Sequence, residues 1–254
     1  MTAGIPAPRE IPSTALVLAG GLGTRLRSVL ADRPKSLAPA AGKPFLHYVL
    51  DYLRQQGLRR AVLCVGYLAE QVKDFARDGQ DWGLEVCYSP EQHALGTGGA
   101  LRQASAGLGG PFFALNGDTL FRVDLPALWE QHVRVGGLAT VALLRLADGS
   151  ARGCVRLAQD GHILAFDEKP ERVETQDFAS LQPALVNGGV YVIEPAALAE
   201  IRPGQAASIE RDVFPRLASR RQLAGQEQSA YFADIGTPES LAAFERDVLI
   251  KIQK

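Results

Sequence analysis

The segment Leu16-Val17-Leu18-Ala19-Gly20-Gly21-Leu22-Gly23-Thr24-Arg25-Leu26 runs from apolar residues into glycines and then at once into fixed positive charge, with Pro34-Lys35 a short way beyond. Glycine has no Cβ, so its N–H groups can come close to an anion and adopt dihedrals closed to other residues. Such a turn cradles phosphate, and Arg25 and Lys35 supply charge that backbone dipoles alone cannot provide for a polyphosphate. The segment is not a Walker A loop, which needs Lys and then Ser or Thr directly after its last glycine, where this chain has Thr24-Arg25. It is not a dinucleotide fingerprint either, because Leu26 stands where the third glycine would be. An ordinary tight turn is the alternative reading of the glycines taken alone.

Asp118 follows the apolar run Phe112-Phe113-Ala114-Leu115, so a carboxylate appears where a buried strand emerges. Hard oxygen ligands of this kind suit Mg²⁺, which takes one or two carboxylates together with substrate phosphates and water; capping of a turn or helix is the other role open to an aspartate. Leu95-Gly96-Thr97-Gly98-Gly99 places three glycines ahead of a helical segment, as a ligand-facing loop or a plain loop-to-helix connection. Asn187-Gly188-Gly189 interrupts the β-prone run from Val186 to Ile193, which signals either close approach of a ligand or a β-bulge.

These groups need elements to hold them. Ala15 to Ala19, Ala61 to Val65, Leu84 to Tyr88 and Phe112 to Leu115 read as strands, while Phe45 to Gln56, Leu68 to Ala76 and Gly99 to Ala106 read as helices between them. That alternation predicts βαβ units around a parallel sheet. After Asp118 the rhythm changes to strands with few helices: Leu138 to Leu146, Gly153 to Ala158, Ile163 to Asp167 and Val186 to Ile193, with a hairpin turn at Gln159-Asp160-Gly161. Ile209 to Leu217 and Pro238 to Ile250 read as closing helices.

Composition narrows the function classes. The chain has 254 residues, is 46% hydrophobic and 22% charged, and has a net charge of -1, so it can bury a sizeable core and carries no general basic surface for nucleic acid. Any anion must be held locally. Cys64, Cys87 and Cys154 are odd in number and widely spaced, which speaks against a disulfide or zinc framework. Met1 to Pro12 carries three prolines and no apolar h-region, and no run reaches the ~18 apolar residues of a membrane helix. The expected setting is cytoplasmic, with residues 1–13 a flexible leader and residues 14–254 one catalytic domain.

Taken together, Leu18 to Leu26 with Pro34-Lys35, Leu95-Gly96-Thr97-Gly98-Gly99-Ala100, Asn116-Gly117-Asp118, Phe166-Asp167-Glu168-Lys169-Pro170 and Asp234-Ile235-Gly236-Thr237-Pro238 resemble, in order, the signature of the sugar-1-phosphate nucleotidyltransferases. These enzymes make nucleoside-diphosphate sugars, and the resemblance spans about residues 14 to 250. It implies an α/β fold: a single Rossmann-like domain of the GT-A-like kind, with a mixed, mostly parallel central sheet flanked by helices and no C-terminal β-helix. It further implies that Leu18, Ala19, Gly20, Gly21, Gly23 and Thr24 hold a nucleotide, and that Gly96, Thr97 and Gly98 read the Watson–Crick edge of its base. Arg25 and Lys35 contact the phosphates, Asp118 and Asp234 bind Mg²⁺, and Lys169 orients the sugar phosphate. Asn116, Gly117, Glu168, Asn187 and Gly188 surround the sugar.

The implied reaction is in-line attack of a sugar 1-phosphate oxygen on the α-phosphorus of a nucleoside triphosphate, with pyrophosphate leaving. Arg25, Lys35, Lys169 and Asp118 are its catalytic group, and their work is positioning and charge neutralisation. The combined motifs, with Gly42-Lys43-Pro44-Phe45-Leu46 and Val65-Gly66-Tyr67, look most like guanylyltransferases acting on D-glycero-α-D-manno-heptose 1-phosphate. Ser36-Leu37 departs from that pattern, where a Pro-Met pair is expected, as does His47, where an acidic residue is usual. Thymidylyl, uridylyl or cytidylyl transfer to a hexose or aminosugar 1-phosphate stays open, as does a homodimer. A non-catalytic nucleotide-sugar-binding regulator is the rival from another class, and it should have lost Arg25, Lys35, Asp118, Lys169 and Asp234, all of which are present. No nucleic-acid or membrane partner is expected.

Overall fold

The computed structural model describes residues 9–21, 30, 32–146, 154–167 and 184–252. Its elements are β1 (Thr14–Leu18), β2 (Pro39–Ala40), β3 (Lys43–Pro44), α1 (Phe45–Gln55), β4 (Arg60–Val65), α2 (Ala69–Ala76), β5 (Glu85–Pro90), α3 (Gly96–Ala104), β6 (Phe112–Asn116), β7 (Thr119–Phe121), α4 (Leu125–Val135), β8 (Ala139–Leu146), β9 (Cys154–Leu157), β10 (Ile163–Asp167), β11 (Ala184–Ile193), α5 (Phe214–Ser219), β12 (Leu223–Glu227), β13 (Phe232–Asp234) and α6 (Pro238–Ile252). A π-helical turn, Ile209–Val213, leads into α5.

The main sheet is mixed, as expected, and changes character halfway across. β5, β4, β1 and β6 lie side by side and parallel. The chain therefore steps outward from β1 to β4 and β5, then returns to the other side of β1 to lay down β6. This reversal of strand order opens a crevice at the carboxyl ends of β1 and β6, the place where open α/β sheets take ligands. Beyond β6 the sheet turns antiparallel: β11 pairs with β6 and then with β8, β12 adds to β8 in parallel, and the β9–β10 hairpin joins the first half of β11. Gly161, with φ +88°, makes the turn of that hairpin.

Alternation along the buried strands explains two cores. Ala15, Val17, Leu63, Val65, Phe113 and Leu115 point to one face, covered by α1, α2, α4 and Phe244 of α6. Leu16, Val62, Phe112, Ala114 and Tyr191 point to the other, covered by Leu101 of α3 and by Phe214 and Leu217 of α5. Each such side chain removed fully from water contributes about 1.5–3 kcal/mol, so truncating Leu16 to Ala costs about 2–5 kcal/mol.

Three features differ from the sequence expectation. Helix α4 stands where strands with few helices were expected: Asp124 caps it by accepting from Ala127 N at 2.9 Å, and Gly136 ends it. The segment read as one helix from Ile209 begins as a π turn. Strands β7 and β13 form a separate two-stranded ladder that pairs Thr119 with Asp234. Residues 9–13 lie against the body of the protein: Arg9 pairs with Glu194, and Ser13 O accepts from Arg59 N and Arg60 N.

Candidate active site

A cavity of about 510 Å³ occupies the crevice between the ends of β1 and β6. Its lining comes from Leu18 to Gly21, Lys35 and Ser36, Gly66 and Tyr67, Glu91 to Ala94, Gly96, Thr97 and Ala100, and Asn116 to Asp118. The two strand ends are fastened to each other, since Gly117 N donates to Leu18 O at 3.0 Å. A Cβ on Gly117 would lie 2.5 Å from that same oxygen, so only glycine allows Asp118 to emerge at the rim. Ala19 N donates to Cys64 O at 2.9 Å and is not free for a ligand, which leaves, among the described residues of this turn, the N–H groups of Gly20 and Gly21 as donors.

At the rim Lys35 Nζ lies 2.5 Å from Asp118 Oδ2. The small ladder brings Asp234 alongside: Ile235 N donates to Asp118 O at 3.0 Å, and Asp234 Oδ1 accepts from Gly236 N at 2.8 Å. A Cβ built on Gly236 would lie 2.9 Å from Asp234 Oδ1 and 3.9 Å from Lys35 Nζ, so the Asp234 carboxylate and the Lys35 ammonium both reach the turn at Gly236. Among the described residues no group of three or more His, Cys, Asp or Glu is arranged to hold a metal. A pair of carboxylate oxygen donors beside an open cavity nonetheless fits a hard divalent cation that draws its other ligands from substrate phosphate and water.

Helix α3 forms the opposite rim. The first N–H groups of a helix have no intrahelical acceptor, and those of Gly96 and Thr97 belong to residues that line the cavity. Gly98 corrects the sequence expectation. It does not line the cavity, and its N–H donates to Ala207 O at 2.8 Å, so it is an anchor of the helix start. The Thr97 hydroxyl is likewise turned inward: it accepts from Ile209 N at 2.8 Å and donates to buried Glu210 Oε2 at 2.7 Å. Glu210, on the π turn, also accepts from Ser208 Oγ at 2.9 Å, and carries no motif by which sequence reading could find it.

Glu91 is the second residue that sequence reasoning missed. It follows β5, lines the cavity and accepts from Leu95 N at 2.9 Å through Oε2. Its Oε1 packs over Gly20, at 2.8 Å from where a Cβ would be. Burial raises its carboxyl above the ordinary range, partly offset by the Leu95 N–H. A lone acid between Pro90 and Gln92 has no sequence signature; the long-range meeting of β5 with the first glycine turn gives it a place.

On the antiparallel side Asn116 lines the cavity, whereas Asn187 and Gly188 do not. Asn187 Nδ2 donates to the Tyr191 hydroxyl at 2.9 Å and Oδ1 accepts from Gly189 N at 2.9 Å, so its side chain serves the fold. Gly188 is buried against the Phe121 ring, where the β11–β8 register shifts between Asn187 and Tyr191. That shift is the bulge read as the alternative for these glycines. Burial drives the Tyr191 hydroxyl far above its ordinary pKa, which keeps it neutral as a partner for Asn187. Gly23, Thr24, Arg25, Glu168 and Lys169 lie outside the described residues.

Comparison with known proteins agrees with this geometry. The chain is 34% identical over 235 residues, covering 92% of itself and 97% of the relative, to D-glycero-alpha-D-manno-heptose 1-phosphate guanylyltransferase of Aneurinibacillus thermoaerophilus. It is 33% identical to mannose-1-phosphate guanylyltransferase of Mycobacterium tuberculosis, over 92% of this chain and 64% of that protein. The crystal structure of HddC from Yersinia pseudotuberculosis complexed with GMP-PN superposes with a TM-score of 0.78 at 28% identity, over 92% of this chain and 99% of the other. No helix among the described residues is long and apolar enough to cross a membrane. The nucleotidyl transferase family model matches residues 14–250, and the chain belongs to that family.

Proposed function

We propose that this protein is a magnesium-dependent guanylyltransferase that joins GTP to D-glycero-α-D-manno-heptose 1-phosphate, releasing pyrophosphate. The observation that carries this reading is the Lys35–Asp118 pair at the lip of the cavity at the sheet's switch point, with Asp234 brought opposite Thr119 by the small ladder. The relatives named above support GTP as donor and heptose 1-phosphate as acceptor, with mannose 1-phosphate as the second acceptor to test. A cytoplasmic setting accords with three cysteines that form no disulfide.

The cavity walls support guanine in particular. The Watson–Crick edge of guanine carries one acceptor, O6, beside two donors, N1–H and N2–H. The Gly96 and Thr97 N–H groups match the acceptor, and the Glu91 carboxylate matches the donors. Uracil and thymine put a carbonyl where guanine has its amino group, so the same carboxylate would face an oxygen and be left unpaired.

No protein nucleophile is required, because the acceptor phosphate is already ionised. One of its oxygens bonds to the α-phosphorus of GTP while the bond from that phosphorus to the bridging oxygen breaks and pyrophosphate departs. Gly20 and Gly21 hold the triphosphate through their backbone, and Lys35 and Arg25 neutralise it as charge shifts to the leaving group. Lys169 orients the attacking phosphate. Asp118 and Asp234 hold Mg²⁺, which, when bound, supplies Lewis-acid stabilisation of phosphate charge. Asn116 lines the same cavity, and its assignment to the sugar rests on the sequence resemblance.

Pyrophosphate release measured with each of GTP, dTTP, UTP and CTP against heptose, mannose and glucose 1-phosphates tests the proposal. Release is expected first with GTP and the heptose phosphate. Release with another base and not with GTP overturns the guanylyl assignment, and no release with any pair favours the non-catalytic regulator.

A further inference from the structure

Lys35 has two anionic demands on it, and they are incompatible in time. Its side chain is 12% exposed, and Nζ bonds Asp118 Oδ2 at 2.5 Å. A divalent cation on Asp118 would need an oxygen at about 2.1 Å. The ammonium holds that same oxygen, so an incoming cation would meet a like charge at contact range with Asp118 already neutralised. Lys35 also lines the cavity, where a triphosphate offers it a denser anion than either aspartate.

We infer that Lys35 keeps the cation site closed in the nucleotide-free protein and releases it when a triphosphate draws the ammonium away, so that metal enters only with the nucleotide. The ion pair is thus an internal counterion for Asp118 that excludes free cations from it. The device sets an order of binding: the nucleotide with its cation first, since the carboxylates become available only as Lys35 turns toward the phosphates. The inference rests on the reading of Asp118 and Asp234 as the cation site.

Mn²⁺ binding to the nucleotide-free protein, followed by the loss of the free-ion paramagnetic resonance signal, tests it without any turnover. Lys35→Gln and Lys35→Met are expected to bind Mn²⁺ at least about tenfold more tightly than wild type, because the like charge is gone. Lys35→Arg, which keeps the charge, is expected to stay as weak as wild type. Adding Asp118→Asn to Lys35→Gln should abolish the gain. Wild type binding as tightly as Lys35→Gln, or a gain that survives Asp118→Asn, overturns the inference. Failure of the cation reading itself would look different: neither neutral variant would bind Mn²⁺, and wild type would turn over after metal chelation.

Discussion

The two halves of the sheet build their share of the site in different ways. In the parallel half, strand ends deliver the groups directly: Leu18 to Gly21 leave β1 and Asn116 to Asp118 leave β6, fastened by backbone bonds from Ala19 to Cys64 and from Gly117 to Leu18. In the antiparallel half and the small ladder beside it, the groups depend on register, as when β13, paired with β7, sets Asp234 opposite Thr119 or when the bulge in β11 lets Asn187 donate to Tyr191. The first kind of site is made mainly of backbone and is rigid wherever the strands are. The second is made of side chains and depends on register, so it can be retuned without disturbing the glycine turn.

The largest effects should therefore fall on the junction of the halves. Asp118→Asn is expected to lower kcat/KM by about 10²–10³-fold with every substrate pair, the range seen when one electrostatic stabiliser is removed. Circular dichroism should show the fold intact. A loss confined to sugar-phosphate KM would place Asp118 in the sugar half alone and break the comparison. Gly117→Ala comes next, since its Cβ would press on backbone that cannot give way, at 2.5 Å from Leu18 O. We expect a stability loss of about 3 kcal/mol in urea titration, at the upper end of ordinary single substitutions.

Legibility in the sequence follows the same division. β1 and β6 were readable because a strand buried on both faces is a continuous apolar run, and the glycines that follow mark the exit where ligands sit. α4 left its own traces, Asp124 as cap, Pro126 in the first turn, Leu125, Leu128, Trp129 and His132 at helical spacing, and Gly136 as stop, yet these lie in a stretch dominated by strand signals. β7 and β13 have three residues each, too few for any periodicity to register, and their partnership joins positions 119 and 234. Gly98 misled because a glycine-rich helix start looks the same whether its N–H groups face a ligand or a neighbouring carbonyl. Glu91 and Glu210 gave no signal, for their roles come from packing between distant segments.

Glu91→Gln sharpens the comparison within the parallel half. An amide presents a donor beside an acceptor, so the preference for GTP over UTP should fall by about 10–100-fold, the range for one mismatched polar contact. An unchanged ratio of kcat/KM values would remove Glu91 from base reading. Tyr191→Phe probes the other half with a smaller effect. Losing the hydroxyl leaves Asn187 Nδ2 without its 2.9 Å acceptor and should cost about 1 kcal/mol in urea titration.

The smallest effect is a difference in how the halves respond to acid. His132 on α4 is fully buried, its Nδ1 2.8 Å from Thr140 Oγ1 and its Nε2 3.2 Å from Glu194 Oε1, the oxygen that Arg9 also pairs with. Burial lowers its pKa below 6.5 despite the pull of Glu194 and with a further push from Arg9. Folding thus favours the neutral ring, and the stability this group contributes is present above the unfolded value and lost as pH falls from it toward the lower folded one. Glu91 has the opposite sign: with its pKa raised, the stability it contributes is present below the ordinary carboxylate value and lost as pH rises through the folded one. Acidification should therefore loosen α4 and β8 while the Glu91 loop holds or tightens. Hydrogen exchange at pH 7.5 and 5.5, corrected for intrinsic rates, should show protection falling in residues 125–146 and not in 89–97, and His132→Gln should flatten the first response. The wild-type minus variant difference also removes His47, whose shift has the same direction as that of His132. Equal losses in both segments would mean that the halves unfold as one unit, and that their different construction has no counterpart in their local stability.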